Sequence, residues 1–335
     1  MAVAMTLTGC GSDNEKINDG MQLIKQLDYQ GALEAFEEAA ARSENERLIE
    51  RGRGIAYMGL TDYEQAILSF QSSLAKSDGL IQEMDFDVNY YMAAAYIKSE
   101  CPKEAKDIYD AILALRPEEK DALFLRGSVL LALDDYEDAK QDFDKLRLLE
   151  PANYDRLVEI YQVLADSGYK EAGQEYLQDA LTTGESKMNS YDKGRIYYYL
   201  GEYQKAYLAL EDAREKGGAE SYLYLGKAYE ATGDYNYAAS VYNNYLATNP
   251  QCAEIYNQLG LCEMARGNYE QALTALQNGM QVENCEIMQT LSFNEIVVYE
   301  YLGEYQKAAV LMDNYLKNYP DDEKAKREQI FLSTR

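Results

Sequence analysis

Apolar positions recur along the chain at offsets of three, four and seven residues, the spacing of one face of an α-helix. The clearest set is Tyr-x-x-Ala-x-x-x-large apolar, led by Tyr29, Tyr63, Pro102, Tyr136, Tyr169, Tyr203, Tyr235, Tyr269 and Tyr305. Three residues after each lead stands Ala32, Ala66, Ala105, Ala139, Ala172, Ala206, Ala238, Ala272 or Ala308. Seven after each stands Phe36, Phe70, Tyr109, Phe143, Tyr176, Leu210, Tyr242, Leu276 or Met312. The leads are 34, 39, 34, 33, 34, 32, 34 and 36 residues apart. The octet Tyr-Leu-Gly-Glu-Tyr-Gln-Lys-Ala at 199–206 returns letter for letter at 301–308, 102 residues or three periods later. A period near 34 residues belongs to stacked helix pairs.

A helix is predicted before each lead, ending near Gly201, Gly233, Gly267 and Gly303 in the clearest copies. Glycine just past a helix end takes the left-handed turn without steric cost. Nine residues before the leads stand Gly20, Gly54, Ala93, Gly127, Gly194, Gly226 and Gly260, with Ile160 and Ile296 as exceptions. A small residue there is expected to face the alanine of the second helix and let the two backbones approach. Pro117, Pro151, Pro250 and Pro320 lie 15 residues after their leads and should end the second helices. In the fifth unit the register slips by one, leaving either Ala172 or Gly173 as the packing residue. The longer 39- and 36-residue steps add loops near 77–85 and 281–287.

Small, aromatic, small, aromatic and proline positions over 34 residues resemble the tetratricopeptide repeat (TPR) family, in nine consecutive units spanning about 13–320. The resemblance implies an all-α fold: antiparallel helix pairs stacked into a right-handed superhelical solenoid, its concave face lined by the first helix of each pair. A C-terminal helix over 321–335, started by Asp321 and Asp322, would cap the exposed end.

Composition narrows the function. The net charge of −26 argues against nucleic acid, which needs a basic track. Histidine is absent, which removes histidine metal sites and nucleophiles that rely on a histidine base. The cysteines at 10, 101, 252, 262 and 285 form no CxxC. Cys252 and Cys285 fall in successive inter-repeat loops, where a disulfide is possible; small, partly buried thiols are the plainer reading. Acidic clusters such as Asp134-Asp135 sit where carboxylates cap helices. No catalytic constellation, metal site or cofactor motif emerges, so an enzyme is not expected.

Residues 1–13 stand apart as a leader and tether. Leu7-Thr8-Gly9-Cys10 resembles the lipobox of bacterial lipoproteins, in which the cysteine carries the lipid. Only six residues precede the box, without the basic and apolar regions of a full signal segment. Cys10 is thus the candidate lipid-attachment residue, and the expected location is the extracytoplasmic side of a bacterial membrane. A cytoplasmic adaptor with a chance match is the alternative.

In register, the concave face would carry Arg51, Tyr90, Phe124, Tyr191, Arg195, Tyr198, Tyr224, Lys227, Asn257 and Phe293. Some family members clamp a partner's C-terminal carboxylates with Lys, Asn and Arg at set first-helix positions. Those positions hold Ile17, Met21, Gly52, Asp87 and Tyr91 here, so that clamp is absent. Tyrosine and arginine are enriched at binding hot spots, which points to capture of a peptide or protein partner. A glycan stacked on the tyrosines is the second reading. Function should lie in positions that differ between copies, such as Arg195 and Tyr198 against Val297 and Glu300.

Overall fold

The computed structural model describes residues 14–214 and 218–335, all helices and turns. The expected leader and Cys10 lie outside the described residues. Nine helix pairs follow one another: α1 (Glu15–Lys25) with α2 (Tyr29–Ala41), α3 (Glu46–Gly59) with α4 (Tyr63–Ala75), α5 (Glu83–Lys98) with α6 (Pro102–Leu115). Next come α7 (Lys120–Ala132) with α8 (Tyr136–Leu149), α9 (Tyr154–Asp166) with α10 (Lys170–Gly184), and α11 (Ser190–Tyr199) with α12 (Tyr203–Ala213). The series closes with α13 (Gly218–Ala231) and α14 (Tyr235–Leu246), α15 (Ala253–Ala265) and α16 (Tyr269–Met280), α17 (Met288–Tyr301) and α18 (Tyr305–Asn318). A last helix, α19 (Glu323–Leu332), follows them.

The chain forms two compact units. One comprises the residues up to Asn153 with Gln162–Lys170, the other Tyr154–Tyr161 with Glu171–Arg335. Within each unit the first helices of successive pairs approach each other directly, as α1 does α3 and α11 does α13. They therefore line the inner side of each stack.

Eight of the nine second helices begin on the predicted lead; α10 begins at Lys170, one residue after Tyr169. Local chemistry explains the sharp starts. Asp28, Asp62 and Asp234 each accept a hydrogen bond from the backbone N–H three residues on, at 2.9, 3.2 and 3.1 Å, satisfying an otherwise orphaned donor. Two residues before every second helix the backbone turns left-handed. Glycine takes that place at 168, 201, 233, 267 and 303, but Leu27, Thr61, Glu100 and Asp134 adopt it at φ 61°, 59°, 59° and 60°.

Packing inside a pair differs from the expectation in one respect. The small first-helix residue chiefly receives the large side chain seven positions into the second helix, rather than the alanine. A Cβ added to Gly226 would stand 2.2 Å from the Tyr242 ring, and one on Gly54 would stand 2.3 Å from Phe70. Phe36 is held from two sides: its ring would stand 2.6 Å from a Cβ added to Gly20 and 2.3 Å from one added to Gly52 of the next pair. The alanines are sealed beneath: Ala32, Ala66, Ala206 and Ala238 have no exposed surface.

The fifth pair resolves to the register of Lys170. Gly173 is its packing residue, buried 3.0 Å (from an added Cβ) from the Tyr161 carbonyl oxygen, while Ala172 is half-buried. Tyr161 stands nine residues before Lys170, where most pairs carry a small residue, and Gly173 lets the second helix approach the Tyr161 backbone and ring while Leu177 stays buried. In the ninth pair Ile296 replaces glycine and meets the flexible Met312 instead of a ring.

The C-terminal helix packs Ala325 and Leu332 onto the last pair. Asp322 starts it by accepting the backbone N–H groups of Lys324 and Ala325, both at 3.0 Å, and also takes the Tyr315 hydroxyl at 2.6 Å. The Tyr315 hydrogen bond leads the effects that hold the Asp322 carboxyl below its usual range. Glu300 of α17 behaves oppositely. Burial, then the negative charge of Glu328 on α19, pushes its pKa up to about 7. Its Oε1 is buried without a hydrogen-bond partner among the described residues. Cys101, Cys252, Cys262 and Cys285 are free thiols. No helix among the described residues is long and apolar enough to cross a membrane.

Three outcomes follow from this packing. Gly226→Ala is expected to destabilise the protein by about 1–3 kcal/mol in urea unfolding, because the Tyr242 ring must be displaced. Thr61→Gly should stabilise it by about 1 kcal/mol, since Thr61 is exposed and its β-branched side chain pays for a left-handed backbone. A carboxyl whose pKa is raised on folding gives stability that is complete below its unfolded pKa and lost as pH rises through the folded value. Melting of the C-terminal region should therefore move to lower temperature between pH 5 and about pH 8 (a window set by the Glu300 value of about 7), and Glu300→Gln should flatten that dependence.

Candidate functional site

The second unit gathers five of the expected groove residues into one cluster on α9, α11 and α13. Helical spacing explains the grouping, because Tyr191, Arg195 and Tyr198 are three and four residues apart on α11. Tyr224 and Lys227 repeat that spacing on α13.

Arg195 is 7% exposed, and its guanidinium lies 5.0 Å from the centre of the Tyr191 ring. Its Nη2 donates to Asp155 on α9 and, at 3.5 Å, to Asp192. Burial is the largest single influence and works against the Arg195 charge, but the Asp155 hydrogen bond and the surrounding negative groups together outweigh it and the pKa is raised. Its Nε is buried without an acceptor among the described residues. Tyr191 donates its hydroxyl to Glu220 on α13.

Tyr224 stands at the centre. Its ring lies 6.3 Å from Tyr191, 5.6 Å from Tyr198 and 5.8 Å from Tyr199, all near edge-to-face. The Tyr224 and Tyr199 hydroxyls are 2.8 Å apart. Tyr161 of α9 extends the aromatic surface, 5.2 Å from Tyr199. Burial raises the pKa of Tyr191, Tyr198 and Tyr224, so all three remain neutral donors and acceptors at physiological pH.

Lys227 closes the cluster, with Nζ 5.7 Å from the Tyr224 ring centre. Burial pushes its pKa down, and Glu230, one turn on, opposes that only in part. Glu230 is itself committed. It accepts the hydroxyl of the fully buried Tyr242 at 2.7 Å and the Gln258 amide at 3.0 Å.

The remaining candidates stand apart. Asn257 accepts from Asn294 at 2.8 Å, joining α15 to α17. Phe293 meets Tyr315 edge-on at 5.7 Å, and Lys324 of α19 lies 4.5 Å from its ring, so the C-terminal helix covers it. In the first unit, Arg51 donates to Asp87 and lies 5.6 Å from the Tyr91 ring. Tyr90 packs 6.2 Å from Tyr109 and Phe124 6.2 Å from Phe143. The Tyr90 hydroxyl is buried without a hydrogen-bond partner among the described residues, and burial raises its pKa.

Asp155, Tyr161, Tyr199 and Glu220 belong to the cluster but escape the first-helix count. Tyr199 closes α11 at the start of the repeated octet, where its sequence neighbours signal only a helix end. Asp155 and Glu220 are ordinary first-turn carboxylates until the neighbouring helices bring Arg195 and Tyr191 to them.

Comparison with known proteins supplies the family. A tetratricopeptide repeat model matches residues 20–80, 92–154, 191–245 and 225–283, and a second one matches 294–322. The BBSome complex member BBS4 of Bos taurus is 23% identical over 159 residues, which is 47% of this chain and 31% of that protein. The chain thus spans about a third of the length of that curated relative. A tetratricopeptide repeat protein from Parabacteroides merdae is 16% identical, with TM-score 0.49 over 84% of this chain and 98% of its own. MamA of Desulfovibrio magneticus, from residue 41 onward, is 19% identical, with TM-score 0.43 over 53% of this chain and 99% of its own.

Removing the Tyr224 hydroxyl breaks one of the links between α11 and α13, its hydrogen bond with Tyr199. Tyr224→Phe is expected to lower unfolding stability by about 0.5–1.5 kcal/mol while leaving the helical circular dichroism signal unchanged.

Proposed function

The chain belongs to the tetratricopeptide repeat family, and on that premise we infer that it captures an extended peptide segment of a partner protein along the first-helix face of its second unit. Members of the family are generally protein-interaction scaffolds. One observation supports this location: Tyr191, Arg195, Tyr198, Tyr224 and Lys227 form a continuous aromatic and cationic surface. Each ring offers apolar area at the cost of only two side-chain torsions and keeps a hydroxyl for the partner's backbone. No residue of the cluster is arranged to attack or protonate a substrate, and the reading is a binding scaffold rather than an enzyme.

The lipobox-like segment supports the second half of the reading, a bacterial lipoprotein anchored through Cys10 with the repeats on the extracytoplasmic side. The acidic balance of the chain keeps such an array soluble and free of anionic lipid and nucleic acid.

Both halves are open to direct test. Phage-displayed peptides selected on the intact protein should lose affinity about tenfold or more on Tyr198→Ala with Tyr224→Ala, with helicity retained. Unchanged affinity would remove the groove from the reading. Radiolabelled palmitate should enter the wild-type chain in bacterial cells and be absent from Cys10→Ala; label that survives the substitution would remove the anchor.

A further inference from the structure

The outer side of the first unit carries a groove of about 890 Å³ between the second helices α2 and α4, with α3 as its floor. Leu33, Tyr57, Leu60 and Leu68 supply its apolar surface, and Leu68 is 51% exposed. Four carboxylates, Glu34, Glu37, Glu50 and Asp62, face a single guanidinium, that of Arg53. Glu34 and Glu37 lie one turn apart on the exposed side of α2. Neither has a hydrogen-bond or ion-pair partner for its side chain among the described residues.

The same place in the fourth pair shows what this groove lacks. There Arg126 bridges α6 to α8, donating to Asp110 at 2.6 Å and to Asp142 at 2.6 and 2.8 Å. Asp142 is 4% exposed, and the cavity beside this bridge holds about 510 Å³. Counted from the leads Tyr29 and Tyr63, the equivalents of Asp110, Arg126 and Asp142 are Glu37, Arg53 and Ser69. Ser69 is too short to replace the carboxylate, and Arg53 turns back along its own helix to Glu50 at 3.1 Å. The cleft therefore stays open. Ser69 is 7% exposed, lines the groove and makes no hydrogen bond among the described residues, so its hydroxyl is an unused acceptor aimed into it.

We propose that this groove docks a cationic amphipathic segment of a partner protein. Lysine or arginine side chains meet Glu34, Glu37 and Ser69, and a large apolar side chain sits among Leu33, Leu60 and Leu68. Two carboxylates without cations and a free hydroxyl accept the N–H donors of an ammonium or guanidinium. The excess of carboxylates over cations steers such a segment to a surface whose floor is apolar. No acidic group among the described residues is arranged to hold a metal ion. A second copy of the chain, at a net charge of −26, is repelled. Every residue involved belongs to the first unit, so docking here does not depend on the aromatic cluster of the second.

The test uses the full chain and a labelled dodecapeptide of Lys and Leu with its apolar residues on one helix face, followed by fluorescence anisotropy. Counterparts carry Gln for Lys or Ser for Leu. The Lys–Leu peptide should bind about tenfold more tightly than either counterpart. Its affinity should fall as salt is raised from about 0.05 to 0.3 M. Glu34→Gln with Glu37→Gln, both exposed, should weaken it about tenfold with helicity retained.

Ser69→Asp is the sharper variant. It restores the carboxylate that holds Arg126 in the fourth pair, so Arg53 should swing across the cleft and affinity should fall about tenfold, although a negative charge has been added. If Ser69→Asp does not fold, the Glu34 and Glu37 pair decides alone. Affinity that rises with Ser69→Asp, or that ignores the Glu34 and Glu37 pair, overturns the proposal and leaves a diffuse acidic surface. Failure of the Lys–Leu peptide to bind overturns it too. Binding abolished by Tyr198→Ala with Tyr224→Ala, but kept in the groove variants, assigns the peptide to the second unit and sinks the groove. Spermidine that binds as tightly as the peptide would make this a polyamine site, and self-association lost with Glu34→Gln and Glu37→Gln would make it a contact between copies. Either result overturns the partner assignment.

Discussion

The ring of Tyr242 fills the volume that a Cβ on Gly226 would need, and the same contact recurs through the repeats with Phe36, Phe70, Phe143, Leu210 and Leu276. Each pair depends on this fit between a bare stretch of first helix and a bulky residue on the second. Dispersion and burial reward it only when both partners keep their sizes, because a packed interior leaves no room for an extra methyl group. The exceptions obey the same volume rule. In the fifth pair Gly173 makes room for the bulky Tyr161, and in the ninth Ile296 is clustered with an unbranched methionine.

Fixing the pair in this way fixes what its first helix presents. Residues that pack the second helix occupy one side of the first, leaving positions three and four residues apart on the other. On α11 and α13 these are Tyr191, Arg195, Tyr198, Tyr224 and Lys227. The cluster therefore inherits its rigidity from the sockets below it. Tyr242 shows the link, since its ring fills the Gly226 socket while its hydroxyl occupies Glu230. That commitment turns the Glu230 carboxylate toward Tyr242 and Gln258.

The repeated octet shows how far letters and environment diverge. Tyr199 is partly buried and shares a hydrogen bond with Tyr224, whereas Tyr301 in the second copy is 63% exposed and stacks on Tyr269. The positions that differ between those copies have separated roles as well. Arg195 and Tyr198 belong to the aromatic cluster; Glu300 lies against the C-terminal helix beside Glu328.

Period and residue size determined the helix pairs, their starts and the buried alanines, because those features depend on contacts within about 34 residues, which recur in every copy. The candidate face was legible for the same reason, as a register along each first helix. Tertiary structure alone decided which of those side chains remain available. Arg51 is spent on Asp87, Asn257 on Asn294, and Phe293 is covered by α19, while Lys227 lies against the Tyr224 ring with no ion pair among the described residues. Such pairings join different helix pairs, and their partners lie outside any repeat-length pattern. They depend on how neighbouring backbones are held together, which the sockets set and a one-dimensional period does not encode.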